Sequence, residues 1–324
     1  MTNTPAQYHL IHRTGRWGKH GWWRPIVGIV AALVAYFVVV LVLQASFLLV
    51  LVLQGSGLNS AIDRLTDTSN TTPLLLAHLN LTLAAAIPVV MGVSWLLHGL
   101  RPRWLASVRP RLRWGWMLAC FGLAFLALLA TIGVAAVLPA GSDTGDLSGD
   151  LNSWSTTTRD FVLVIVLLTP LQAAGEEYAF RGYLTQAFGG LFAPLGPRAA
   201  YAAAVLLPAV LFALAHGAQD APIFVDRLAF GLVAGVLVIT TGGLEAGLAM
   251  HVLNNFLAYA AALAYGDMSS ALNPSGGTWW QLPVTLTQSL TFLALVTLVS
   301  RRAGIQTRTA APKEPVLEAS EPRV

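Results

Sequence analysis

Glu176 and Glu177 stand side by side within an apolar run, and Arg181 follows four positions after Glu177. An ionisable side chain at membrane depth is costly unless it has a partner or faces a wet cavity, so two adjacent carboxylates there demand a reason. Half of the reason is structural. Glu177 and Arg181 are spaced i to i+4 with the acid first, which puts them on one helical face in the favourable order for an ion pair. Glu176 is turned about 100° away from Glu177 by the helical period and has Phe180 at its own i+4 position, so its partner must come from another segment. Carboxylates held in apolar surroundings beside a like charge are suited to proton transfer near neutral pH, the work of a general base or acid.

Two histidines supply candidate partners. His216 closes the stretch Phe212-Ala213-Leu214-Ala215-His216, and His251 opens His251-Val252-Leu253-Asn254-Asn255, both in strongly apolar sequence. One histidine in such a run is commonly a core residue with a satisfied hydrogen bond. Two of them, added to a glutamate pair, read as a site. His251 and Asn255 share a helical face, so together they could offer two donors to one oxygen, as stabilisation of an oxyanion requires. Asn254, at i+3, is a weaker candidate, and Phe212, one turn before His216, is expected to pack.

These side chains need elements that hold them in lipid. Of 324 residues, 56% are hydrophobic and 10% charged, a balance that excludes a water-soluble globule. Apolar runs of the roughly 20 residues needed to cross a bilayer fall at 26–53, 74–98, 114–138, 161–184, 199–217, 222–242, 244–265 and 283–300. The expected fold is all-α: a polytopic integral membrane bundle of about eight transmembrane helices. Residues 1–25 form a cytoplasmic N-terminal segment, residues 26–300 the transmembrane domain, and residues 301–324 a disordered cytoplasmic tail rich in Pro, Glu and Ala. The N-terminal segment is too long and, at Trp22 and Trp23, too aromatic for the n-region of a cleaved signal peptide, so the first run is expected to stay as an anchor.

Charge placement supports eight spans. Of the 19 Lys and Arg residues, all but Arg64, Arg159 and Arg227 then fall on one side, so both termini are expected to be cytoplasmic in a multi-pass protein of the cell membrane. The basic residues lie in short segments between apolar runs rather than on one face, which argues for orientation in the membrane and against a nucleic-acid partner. The single cysteine, Cys120, excludes an intramolecular disulfide and any CxxC metal site. Glu245, beside Gly242 and Gly243, is expected to be solvated at the cytoplasmic edge, Asp226 and Arg227 to form a local polar patch, and His78 and His98 to be span-end residues without a partner pattern.

A depth count strains one member of the site. At 1.5 Å per residue, Glu176 lies about 22 Å from the outer end of its run and His251 about 10 Å from the inner end of its own, both in the inner half of a core of roughly 30 Å. His216 falls about 25 Å up from the inside, too high to meet Glu176 unless Pro208 kinks its span or the start of that span lies outside the core.

Taken in order, Glu176-Glu177-Tyr178-Ala179-Phe180-Arg181 has the form EExxxR, Phe212 to His216 the form FxxxH, and His251 to Asn255 the form HxxxN. In this the chain resembles the CPBP family, the intramembrane proteases related to CAAX prenyl endopeptidases and also called Abi or bacteriocin-processing proteins. The resemblance covers roughly residues 161–265. It implies a CAAX-protease-like bundle and hydrolysis of a peptide bond in a peptide or membrane-protein substrate, with no covalent intermediate and no cofactor. By the same resemblance Glu176, helped by His216, activates water, His251 and Asn255 stabilise the oxyanion, and Glu177 and Arg181 hold the helix in place. Zinc held by His216, His251 and a glutamate is an alternative that uses the same residues, although no HExxH pattern favours it. A proton-coupled transporter is the competing class; it predicts related halves, and the polar intramembrane residues cluster in the second half instead.

Overall fold

In a computed structural model the chain is described over residues 5–14, 21–137, 150–217, 220–274 and 276–310. The helices, in chain order, are α1 (Trp23–Leu53), α2 (Leu58–Thr66), α3 (Pro73–Ala84), α4 (Ala86–His98), α5 (Trp114–Ala135) and α6 (Thr156–Glu176). They are followed by α7 (Thr185–Phe192), α8 (Pro197–Ala215), α9 (Ala221–Thr241), α10 (Glu245–Tyr265), α11 (Met268–Leu272) and α12 (Gln281–Arg302). Among the described residues, eight helical stretches are long and apolar enough to cross a membrane, as expected, and the chain is an all-α polytopic membrane protein. Leu33 and Phe37 of α1, Leu118 and Phe125 of α5, and Val166 and Leu167 of α6 are exposed, large and apolar. Lipid accommodates such a surface; water does not.

The expected fourth run is too short. The fourth spanning stretch is Thr156–Leu195, 40 residues, because α6 continues without a break through a π-helical segment, Glu177–Leu184, into α7. π-Helical turns shift the i→i+4 ladder to i→i+5 and occur frequently at functional sites; here the shift begins at Glu177 itself. This length removes the conflict over His216. The chain turns at Gly196 between α7 and α8, and Glu176 lies as many residues before that turn as His216 lies after it. The two therefore stand at one level of an antiparallel helix pair. Pro208 sits within α8 as suspected, but the longer neighbouring helix suffices to match the levels.

Packing sets the remaining elements around this pair. α3 packs on α6, α8 on α9, α12 on α5 and α9, and α10 on α5 and α6. At the α3–α6 crossing, a Cβ on Gly175 would overlap the Leu83 carbonyl, so glycine immediately before Glu176 lets α3 approach the helix that carries the carboxylates. One buried cluster contains Cys120, Phe212, Phe230, Met250 and Phe292; another contains Tyr8, Ile11, Leu105, Tyr183 and Leu244.

Several surface expectations are corrected. Glu245 is fully buried and accepts from Arg113, which donates Nε to Oε1 at 2.8 Å and a terminal nitrogen to Oε2 at 2.7 Å. The basic loop before α5 is drawn inward to do this: Val108 N–H donates to the Gly242 carbonyl and Leu244 N–H to that of Ala106, closing the α9–α10 turn, where Gly242 takes φ +71°. His98 is not partnerless either, since its Nε2 lies 3.1 Å from the Tyr183 hydroxyl.

The N-terminal segment is more than a polar leader. A 3-10 turn, Tyr8–Thr14, inserts Tyr8, His9, Ile11 and His12 into the protein, and His12 stacks on His98 at 3.9 Å. Residues 303–310 return to it: Thr309 N–H donates to the Ala6 carbonyl and Gln7 pairs with Arg308, so the chain after Arg302 begins with paired backbone rather than a free tail. Residues 311–324 and residues 138–149, which include Asp143 and Asp146, lie outside the described residues. Burial lowers the pKa of His9 to about 4 and that of His12 well below its ordinary value, with His98 adding to the second effect. The unfolded segment takes up protons from about pH 6.5 downward while the docked one does not, so docking weakens as pH falls from there towards about 4. Protease nicking near the N-terminus is expected to speed up at about pH 5 relative to about pH 7.5, and His9→Gln with His12→Gln to flatten that dependence.

Candidate active site

The carboxylates arrive on the last turn of α6 and the first residue of the π-helical segment, so they leave the axis in different directions. Glu177 turns inward and is fully buried. Its Oε1 lies 3.1 Å from an Arg181 terminal nitrogen and accepts from His251 Nδ1 at 3.0 Å. The predicted pair is present, and Glu177 does more than was expected of it, because a carboxylate only accepts and so fixes the proton of His251 on Nδ1. The Arg181 guanidinium lies over the Phe212 ring at 4.1 Å and 5.8 Å from the Phe230 ring.

Glu176 faces a cavity of about 800 Å³ that Gln172, Phe212, His216, Phe230, His251 and Asn255 also line. Its Oε2 lies 3.4 Å from His251 Nε2, so the imidazole is held edge-on between the two carboxylates. Its Oε1 accepts from Gln172 Nε2 at 2.9 Å, and Gln172 Oε1 accepts in turn from Asn255 Nδ2 at 2.9 Å. Asn255 is thus in the site and on the face of His251, as expected, but one N–H reaches Glu176 through Gln172 instead of waiting free for an oxyanion.

His216 caps the C-terminal end of α8 on the same cavity. Its Nδ1 donates to the Phe212 carbonyl at 2.7 Å, which leaves Nε2 with a lone pair. The ring packs on Phe212 at 4.7 Å, and Phe212 also meets Phe180 and His251 edge to face, so the packing role expected of it fits. All four residues read from the sequence as catalytic, Glu176, His216, His251 and Asn255, border one space, with Glu177 and Arg181 behind them.

Sequence reasoning missed Gln172, although its i to i+4 spacing from Glu176 within an apolar run was a usable signal. It also set aside Asp226 and Arg227, which line the cavity together with Tyr259 and Thr285. Among the described residues, no group of three or more His, Cys, Asp or Glu side chains is arranged to hold a metal ion.

Close approach constrains the wall behind Glu177. A Cβ on Gly247 of α10 would lie 2.6 Å from Glu177 Oε2. Gly247→Ala is therefore expected to push Glu177 off His251 and to lower turnover about tenfold to a hundredfold while the protein still folds, read as initial rates beside a thermal melt.

The fold and site together define a polytopic membrane protein with two acids, two imidazoles and two amides gathered in and around one buried space. Comparison with known proteins places the central segment more closely. Residues 158–257 match the family described as Type II CAAX prenyl endopeptidase Rce1-like, in agreement with the resemblance of the three motifs. A curated relative, the uncharacterized protein YyaK of Bacillus subtilis (strain 168), is 30% identical over 142 residues, covering 40% of this chain and 45% of YyaK. The chain thus matches less than half the length of that relative. No solved structure matches.

Proposed function

We propose that the protein is an intramembrane glutamic endopeptidase of the CPBP type that hydrolyses a peptide or membrane-protein substrate with a water activated by Glu176 and His216. The observation that carries this reading is the convergence of Glu176, His216, His251 and Asn255 on one cavity. A water between Glu176 and His216 gives one proton to the carboxylate as its oxygen attacks the scissile carbonyl, and His216 Nε2 accepts a hydrogen bond from it. The tetrahedral oxyanion that forms is met by the Asn255 N–H that Gln172 leaves free and by His251, whose Nε2 donates when it carries a proton as well as Nδ1. When the carbon–nitrogen bond breaks, Glu176 returns the proton to the leaving amine, so no covalent enzyme intermediate arises.

Three supports hold the acting groups. Gln172 fixes the face of Glu176 by donating to Oε1, Glu177 fixes the tautomer of His251, and Arg181 balances the charge of Glu177. Both nitrogens of His251 face carboxylates and Nδ1 of His216 is bonded to a carbonyl, which leaves one uncommitted imidazole nitrogen where catalytic zinc needs about three protein ligands. Activity is accordingly expected to survive prolonged treatment with 1,10-phenanthroline and EDTA; loss on chelation with recovery on added zinc would replace the glutamic mechanism with the metallo version.

The described ends pair with each other, which supports placing both on one face, the cytoplasmic one by the distribution of arginine. Mass spectrometry of membrane peptides from cells carrying wild type or Glu176→Ala tests the function. New peptide termini present only with wild type are expected; identical profiles would contradict proteolysis.

A further inference from the structure

Arg227 has no role in the chemistry above, yet it lines the same cavity. It lies in the second turn of α9, three residues before Phe230, whose ring meets His251 at 5.3 Å. Arg227 and Phe230 share a helical face, so the guanidinium is set about one turn beyond the catalytic imidazole towards the N-terminal end of α9. Asp226, Glu176 and Tyr259 all lie within electrostatic range of it.

What Arg227 lacks is a carboxylate at ion-pair distance. The structure holds ion pairs for Arg113, Arg159 and Arg181, and among the described residues none uses Arg227. Its Nε is buried without a hydrogen-bond partner. Asp226, next in sequence, is turned to Thr285 of α12 rather than into a bidentate pair with its neighbour. Arg227 is also the one fixed cation among the described residues lining the cavity, whereas Arg181 is sealed behind Phe212. A guanidinium that cannot shed its proton, at membrane depth and with an unfilled donor, is a receptor for a planar anion, and a carboxylate matches its fork.

We infer that Arg227 is a specificity residue that binds a carboxylate of the substrate, either the α-carboxylate at its C-terminus or an acidic side chain, on the side of the cavity away from Glu177. This rests on the protease reading. Substrate then lies with its scissile carbonyl at Glu176 and its anionic group at Arg227, and an uncharged relative at the same position leaves the guanidinium unpaired.

The test takes one peptide that wild type cuts, found in a mixed library of apolar decapeptides, and resynthesises it with a free C-terminal carboxylate, with a C-terminal amide, and as the amide with one Glu after the cleavage site. Wild type, Arg227→Gln and Arg227→Lys are compared in detergent by kcat/KM, with kcat and KM separated. Wild type is expected to favour a carboxylate-bearing peptide over the plain amide by about tenfold or more, chiefly in KM. Arg227→Gln should reduce that peptide to the level of the amide while leaving the amide unchanged, and Arg227→Lys should restore part of the preference. Whichever peptide shows the preference identifies the source of the carboxylate. Equal loss on all three peptides, or no loss on any, would overturn the assignment. Failure of wild type to cut any library peptide would instead overturn the protease reading beneath it.

Discussion

Glu176→Gln lowers peptide cleavage by a factor of about 10²–10⁴ and leaves the melting temperature close to that of wild type. The size follows from the task assigned to the carboxylate: a positioned base or acid contributes that much to a proton-transfer step, and an amide cannot take the proton from water. The small effect on stability follows from its surroundings. Glu176 is partly exposed to the cavity, and its neighbours Gln172 and His251 can keep polar contacts to a glutamine oxygen, so no buried charge is orphaned. Initial rates and a thermal melt on the same preparation check both halves. A variant that is inactive because it is unfolded would fail the second measurement, and one that cuts at the wild-type rate would remove Glu176 from the mechanism.

Arg181→Met has the opposite profile, a loss of stability first and of activity as a result. Arg181 and Glu177 are almost wholly enclosed, and removing the cation leaves a buried carboxylate with only His251 to balance it. Breaking one side of a buried pair costs about 3–5 kcal/mol, enough to unfold a marginal membrane bundle in detergent. Glu177→Gln with Arg181→Met removes both charges, and the doubly substituted protein is expected to regain much of the stability without regaining activity, because glutamine does not hold His251 as the carboxylate does. Denaturation in mixed micelles measures the first effect and peptide cleavage the second. Equal stability of Arg181→Met and wild type would mean that the pair is solvated in lipid.

The spans were legible because hydropathy is a local property: each of the eight runs marks itself without reference to the others. Glu177 and Arg181 were legible for the same reason, four residues apart on one helix. His251 was readable as a site residue but its bonds were not, since they cross to α6 and depend on how α10 packs there. The level of His216 was misjudged because Thr185, Gln186 and the glycines Gly182, Gly189 and Gly190 hid the continuation of the fourth helix. Glu245 looked solvated from its position beside two glycines; its partner, Arg113, is 132 residues away in sequence and was counted as a topology signal. Arg227 was given to the outer surface by the same count, although it opens into the cavity. Charge rules rank segments by side of the membrane and do not tell a side chain that meets water from one that turns into the bundle.

The central claim is that water, activated at Glu176, cleaves a peptide bond inside the bundle. Reconstituted wild type and Glu176→Gln, incubated in water enriched in oxygen-18 with a mixed library of apolar peptides and read by mass spectrometry, test it most directly. The account predicts new C-terminal carboxylates carrying the heavy oxygen with wild type and none above background with Glu176→Gln. Peptides left intact by both proteins, or labelled equally by both, would contradict it.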